Sequence, residues 1–222
     1  MRNPELSPTN YSLYLVTDSG MTGRDHLVEW VMKAVDGGVT MVQYREKTAS
    51  TAQMIREATE IRKLLHTKGI PLIVNDRLDV ALAAGADGVH LGQHDMNPAT
   101  ARKLMGPDAL IGYSVETWQQ AQEAERLDVD YFGVSPIFAT PTKTDTGRPW
   151  GIKGLRELRA STRKPLVAIG GMNRETIAAA LRAGADGVAV VSSICASEHP
   201  TKSARELMEI IRKERQAKRL ST

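Results

Sequence analysis

The sequence predicts a (β/α)8 barrel, on three observations. Short apolar segments alternate with helix-period segments through the whole of its 222 residues, eight times over, the layout of parallel strands joined by helical crossovers. That length suits a compact eight-unit barrel, whereas a doubly wound open sheet would usually stop at about five or six strands. An internal echo, Ala84-Gly85-Ala86-Asp87-Gly88-Val89 against Ala183-Gly184-Ala185-Asp186-Gly187-Val188, recurs at half-barrel spacing.

The strands are expected at 13–16, 41–44, 72–74, 89–91, 110–112, 131–134, 166–169 and 188–191. Each is a short run made mostly of β-branched, aromatic or aliphatic residues, as a buried parallel strand requires. Helical patterns fall at 27–35, 52–65, 78–84, 117–127, 176–183 and 204–211. Gly37-Gly38 makes the turn into the second strand, and Asn97 followed by Pro98 reads as an N-cap with proline at the first helical position. Gly85 and Gly184 suit helix C-caps, so Asp87 and Asp186 start the fourth and eighth strands on the bottom face. There they are structural, since the chemistry of this fold sits on loops after the strands. The stretch 212–219 is basic and suits the solvated end of a last helix. We therefore expect one domain over 1–222, with an N-terminal extension at 1–10 and a basic tail at 214–222.

Composition bounds the function. Hydrophobic residues at 41% and charged residues at 25% are ordinary for a soluble globular chain. A net charge of +3 is too small for a nucleic-acid binder that works through a broad basic surface. Cys195 is the only cysteine, so an intrachain disulfide and a cysteine metal cluster are both excluded. No apolar run is long enough to span a bilayer, and residues 1–5 do not read as a signal peptide. The expectation is a cytoplasmic protein with no membrane or nucleic-acid partner; the oligomeric state is left open.

The residues after each strand carry the chemistry. In Val42-Gln43-Tyr44-Arg45-Glu46-Lys47, strand alternation puts Gln43, Arg45 and Lys47 on one face. Two cations and an amide at a strand end ask for an anion, with Arg as a bidentate clamp and Lys as a point charge. Asn75-Asp76 follows the third strand and Asp95 the fourth. Asn97 takes the capping role, which leaves Asp95 without a local one, whereas Asp76 could itself cap the next helix. Two carboxylates on adjacent strands suit one hard divalent cation, Mg²⁺, completed by water and phosphate oxygens. His90 and His94 stand on a strand and loop without a matching third ligand, which disfavours zinc.

Ser114 follows the fifth strand, as an N-cap or an anion ligand. Residues 135–147 form the longest non-helical stretch, and Thr140, Thr142 and Lys143 make it a candidate lid with phosphate-binding groups. Residues 17–23 are expected to be a small, flexible loop. Gly170-Gly171-Met172 and Ser192-Ser193 follow strands seven and eight, where this fold commonly cradles a phosphate. Two anion sites on one face are the result.

Taken together, in order and each at a strand end, these segments resemble the thiamine phosphate synthase family, a group of TIM-barrel enzymes. The resemblance runs from Tyr14-Leu15-Val16-Thr17-Asp18 to Val191-Ser192-Ser193-Ile194. It implies a transferase with two small phosphorylated substrates. One is 4-amino-2-methyl-5-(diphosphooxymethyl)pyrimidine; the other is a thiazole, carboxylated or not, with a phosphate on its hydroxyethyl arm. It further implies that Gln43, Tyr44, Arg45, Glu46, Lys47, Asn75, Ser114 and Lys143 hold the pyrimidine diphosphate. Arg45, Lys47, Lys143 and Ser114 would serve the reaction itself. Asp76 and Asp95 would bind Mg²⁺, and Thr140, Pro141, Thr142, Gly171, Val191 and Ser192 would hold the thiazole phosphate. Tyr44 stands where Leu is commoner and Met172 where Ile is, and neither is asked for chemistry. A thiazole tautomerase would not need Arg45, Lys47, Asp76, Asp95 and Lys143. A non-catalytic thiamine-phosphate sensor would not need two carboxylates.

Overall fold

A computed structural model describes residues 10–140 and 147–220. Eight parallel strands close a barrel in sequence order, each hydrogen-bonded to the next and β8 to β1. The strands are β1 (Leu13–Val16), β2 (Met41–Tyr44), β3 (Leu72–Asn75), β4 (Gly88–Leu91), β5 (Leu110–Val115), β6 (Tyr131–Val134), β7 (Leu166–Ala168) and β8 (Gly187–Val190). Around them lie α1 (Ser19–Thr22), α2 (Leu27–Asp36), α3 (Thr51–His66), α4 (Leu78–Ala84), α5 (Pro98–Met105), α6 (Trp118–Ala124), α7 (Gly151–Ser161), α8 (Ile177–Arg182), α9 (Ser192–Cys195) and α10 (Pro200–Leu220).

Every predicted strand is present, with small shifts of boundary. The largest is β5, which runs through Val115 because Ser114 and Val115 pair with Gly133 and Val134 of β6. Ser114 therefore stands inside the strand rather than after it. Residues 17–23 are more ordered than a flexible loop: Asp18 caps α1 by accepting from the Gly20 and Met21 amides at 3.0 and 3.2 Å. Helix α10 continues to Leu220, so the described part of the stretch expected as a basic tail is helical. Arg182 on α8 pairs with Glu214 at 2.5 Å, and Arg215 donates to the Asp186 carbonyl at 2.7 Å.

Strand alternation divides the core in two. Outward residues such as Leu13, Val42, Val74, Val89 and Phe132 pack against the helices. Inward residues Tyr14, Val16, Met41, Ile73, Leu110, Tyr131, Val167 and Ala189 fill the barrel.

The bottom rim is pinned by a repeated device, wider than the half-barrel echo. A polar side chain just before each even strand accepts the backbone N–H near the start of the preceding odd strand. Thr40 accepts from Leu13 at 3.0 Å, Asp87 from Leu72 at 2.8 Å, Asp130 from Ile111 at 2.7 Å and Asp186 from Leu166 at 2.8 Å. Each aspartate is also met by an arginine from the preceding odd helix: Arg62 at 3.0 Å, Arg102 at 2.9 Å and Arg159 at 2.9 Å. Asp87 and Asp186 are thus structural and far from the strand ends that carry the site.

Candidate active site

The strand C-termini open into one cavity of about 750 Å³, large enough to hold two small substrates side by side. Of the residues singled out in the sequence, Gln43, Arg45, Lys47, Asn75, Asp76, Asp95, Ser114, Thr140, Gly171, Val191 and Ser192 line it. Pro141, Thr142 and Lys143 lie outside the described residues.

Tyr44 and Glu46 do not line the cavity. Alternation turns Tyr44 outward into the helix layer, where its hydroxyl donates to Glu57 at 2.6 Å. Glu46 folds back under its own loop. Its carboxylate accepts from Ser19 Oγ at 2.6 Å, from the amides of Lys47, Thr48 and Ala49 at 2.8, 2.6 and 3.1 Å, and from Thr48 Oγ1 at 2.9 Å. Arg24 closes the set at 3.0 Å, and the Glu46 side chain is only 2% exposed. Burial pushes this carboxyl up, but the hydrogen bonds from Ser19, Thr48 and Ala49 outweigh it and hold it at about 2. Glu46 is thus an ionised keystone that shapes the loop from which Arg45 and Lys47 reach the cavity.

At one side of the mouth Lys47 Nζ meets Asp76 Oδ2 at 2.5 Å. Asp76 does not cap α4: the N-cap position is Arg77, without a side-chain cap bond, and Asp76 adopts φ 61°. That left-handed backbone is uncommon for a residue other than glycine. Asp95 has a local bond after all, since its Oδ2 accepts the Gly92 amide at 2.7 Å. The two carboxyls lie close enough to shift each other's titration. Burial and the neighbouring Asp76 raise Asp95, against the pull of the Gly92 amide. Burial also acts to raise Asp76, but Lys47 and Asp95 overcome it and hold Asp76 low. A pair of this kind wants a proton or a cation between its oxygens.

No group of three or more His, Cys, Asp or Glu side chains able to hold a metal is found among the described residues. The two-carboxylate donor set fits Mg²⁺, which keeps waters and takes substrate phosphate oxygens, and it does not fit zinc. His90 is buried in the barrel and His94 sits at the rim. Cys195 is buried, which pushes its thiol up to about 12 and leaves no thiolate for nucleophilic chemistry.

Across the cavity the Gly170-Gly171 turn follows β7. Both residues have positive φ, 93° and 68°. A Cβ at Gly170 would stand 2.7 Å from Pro136 Cβ, and one at Gly171 2.8 Å from Phe138 Cβ, so only glycine lets this turn pack against the segment after β6. Beside it α9 starts at Ser192 with no side-chain cap bond, and Ser193 Oγ ties it to the Met172 carbonyl at 2.7 Å.

Sequence reasoning gave no substrate-binding role to several residues beneath these rims. Tyr14, His90, Gln93, Tyr131 and Met172 also line the cavity. Tyr14, His90 and Tyr131 fall at inward positions of predicted strands, and that alternation was the signal available for them.

The thiamine monophosphate synthase family model matches residues 13–194. The thiamine-phosphate synthase of Albidiferax ferrireducens is 53% identical over 199 residues, covering 90% of this chain and 91% of that one. That of Vibrio parahaemolyticus is 50% identical over 201 residues, covering 90% and 98%. The solved thiamine phosphate pyrophosphorylase from Pyrococcus furiosus superposes with a TM-score of 0.86 at 37% identity, covering 93% and 98% of the two chains. The chain belongs to the thiamine monophosphate synthase family.

Proposed function

We propose that this family member joins 4-amino-2-methyl-5-(diphosphooxymethyl)pyrimidine to a thiazole ethyl phosphate, giving thiamine phosphate and pyrophosphate. The observation that carries the reading is the adjacent Asp76 and Asp95 carboxyls beside Lys47, on the same cavity as Arg45 and the uncapped start of α9. Two carboxylates in contact are unfavourable as anions alone, and beside two cations they make sense as a seat for Mg²⁺ and a diphosphate.

In this reading Arg45, Lys47 and Lys143 neutralise the charge that develops on the departing pyrophosphate. Mg²⁺, when bound by Asp76 and Asp95, supplies further charge neutralisation to the leaving group. The electron-rich aminopyrimidine stabilises the methylene cation left behind, and the thiazole nitrogen attacks it. No general base is required, because that nitrogen is already a free nucleophile. The work of the chain is to hold the two rings in line and to keep water away from the cation. Gly171, Val191 and Ser192 hold the thiazole phosphate, together with Thr140, Pro141 and Thr142. Glu46 acts at one remove by holding the loop of Arg45 and Lys47.

Calorimetric titration with pyrophosphate tests the reading. Tight binding in the presence of Mg²⁺, lost with EDTA, is the expected result. Equal binding without the metal would favour an anion sensor.

A further inference from the structure

Below the two anion-facing rims, the cavity floor is a continuous chain of polar side chains, buried except for the half-buried Ser114. Gln43 Nε2 donates to the Tyr14 hydroxyl at 3.0 Å, and the Tyr14 and Tyr131 hydroxyls are 2.8 Å apart. Tyr131 reaches His90 Nδ1 at 3.1 Å, and His90 Nε2 reaches Ser114 Oγ at 2.9 Å. Gln43 is 5% exposed, His90 8%, Tyr14 1% and Tyr131 0%. Five side chains from β1, β2, β4, β5 and β6 thus link one wall of the barrel to the other.

Space for this chain is reserved. A Cβ at Gly112 would lie 2.3 Å from both His90 Nδ1 and the Tyr131 hydroxyl, and one at Gly133 would lie 2.8 Å from His90 Cε1. Burial pushes both phenols above their ordinary range, so both keep their protons. Nothing in the reaction proposed above uses them as acids or bases.

The direction of the chain follows from donor counting. Each phenol has one proton, and a neutral imidazole donates from one nitrogen and accepts at the other. Gln43 donates to Tyr14, so the Tyr14 proton goes to Tyr131 and the Tyr131 proton to His90 Nδ1. The His90 proton then sits on Nε2 and is given to Ser114 Oγ, which leaves the Ser114 proton for the cavity. Running Tyr131 the other way would leave the buried Tyr14 proton without an acceptor, which is costly. The two ends are therefore coupled: with Gln43 showing its carbonyl Oε1 to the cavity, Ser114 shows a donor. Reversing the chain would invert both ends together.

We propose that the Tyr14–Tyr131–His90 chain sets the polarity of Gln43 and Ser114 so that the floor reads an amino-substituted pyrimidine edge and rejects its oxo counterpart. The amino group of a 4-aminopyrimidine donates and its adjacent ring nitrogen accepts, matching an acceptor at Gln43 and a donor at Ser114. In the 4-oxo compound the carbonyl accepts and the ring N–H donates, so both contacts clash. Sites built on buried polar pairs discriminate strongly in this way. Tyr14, Tyr131 and His90 are positioning residues here, acting through Gln43 and Ser114. The inference rests on the pyrimidine reading above.

The test compares binding of two unreactive probes, 2-methyl-5-(phosphooxymethyl)pyrimidine with either a 4-amino or a 4-oxo group, by calorimetry. Wild type should favour the amino probe by about a hundredfold or more. Tyr131→Phe cuts the chain and lets each end turn independently, so that preference should fall at least tenfold while Mg²⁺-dependent pyrophosphate binding stays unchanged. Tyr14→Phe cuts it at a second point and should do the same, which guards against a single misfolded variant. Equal weakening of both probes in these variants, with the preference intact, would reduce the phenols to packing and overturn the inference. A wild type that binds the amino probe without preference overturns the inference alone, and one that binds neither probe overturns the pyrimidine reading with it.

Discussion

Replacing Glu46 with Gln isolates what the ionised keystone does. Gln has the shape of the protonated acid, so Glu46→Gln measures the cost of losing the charge with little change in volume. The carboxyl lies at about 2 against an ordinary 4.5, and every tenfold change in its proton affinity corresponds to about 1.4 kcal/mol. The variant should therefore be less stable by roughly 3 kcal/mol at pH 7. The sign fixes the pH window. A depressed folded-state value means that the stabilisation is fully present above the unfolded value of 4.5 and is lost as pH falls through about 2. Urea unfolding of both proteins between about pH 7 and pH 2.5 should show the gap shrinking toward zero at the acid end. A shift in melting temperature of about 6–12 °C at pH 7 should accompany it. Because the same carboxylate holds the amides of Lys47, Thr48 and Ala49, KM for the pyrimidine diphosphate should rise more than kcat falls. A gap below about 0.5 kcal/mol at pH 7, or one independent of pH, would refute the assignment of Glu46 as an ionised anchor.

Other perturbations separate the two ends of the barrel. Asp95→Asn keeps an acceptor for the Gly92 amide and leaves the Asn97 cap of α5 untouched. It should lower kcat at least about a hundredfold while the metal-free melting temperature stays level or rises, because the contact between two carboxylates is relieved; near-normal turnover would remove Asp95 from the metal site. Asp130→Ala orphans the Ile111 amide at the bottom rim and removes one of the two carboxylates that meet Arg102, leaving it Asp128 and the Ala109 carbonyl. It should cost about 1–3 kcal/mol in urea unfolding with kcat/KM unchanged. Gly112→Ala drives a Cβ to 2.2 Å from the Tyr131 ring and should destabilise by about 1–3 kcal/mol, read by thermal unfolding, with loss of pyrimidine binding.

Much of this was legible in the chain. Alternating apolar runs located all eight strands because a buried parallel strand must be apolar on both faces. Residues that follow strands, such as Asp76, Asp95, Gly171 and Ser192, reach the cavity because the fold opens at that end. What escaped depends on tertiary neighbours. Glu46 reads as one more polar residue of a strand end until Ser19 and Arg24 arrive from across the first βα unit. Tyr44 is turned away from the cavity by strand alternation, whose period-two rule separates it from Gln43 and Arg45. Asp130 shows no echo like those of Asp87 and Asp186, because the residues around it, Leu127-Asp128-Val129-Asp130, differ in sequence while serving the same rim. His90 was weighed as a zinc ligand and disfavoured, and only its contacts with Tyr131 and Ser114 show it as part of the floor.

The most direct test of the central claim is a stoichiometric one. The protein is mixed with the pyrimidine diphosphate, the thiazole ethyl phosphate and Mg²⁺, and thiamine phosphate and pyrophosphate are quantified together, with and without EDTA. Equal amounts of the two products, abolished by EDTA, are the result expected of a Mg²⁺-assisted coupling at this cavity. Pyrophosphate without thiamine phosphate, or coupling indifferent to EDTA, would contradict it.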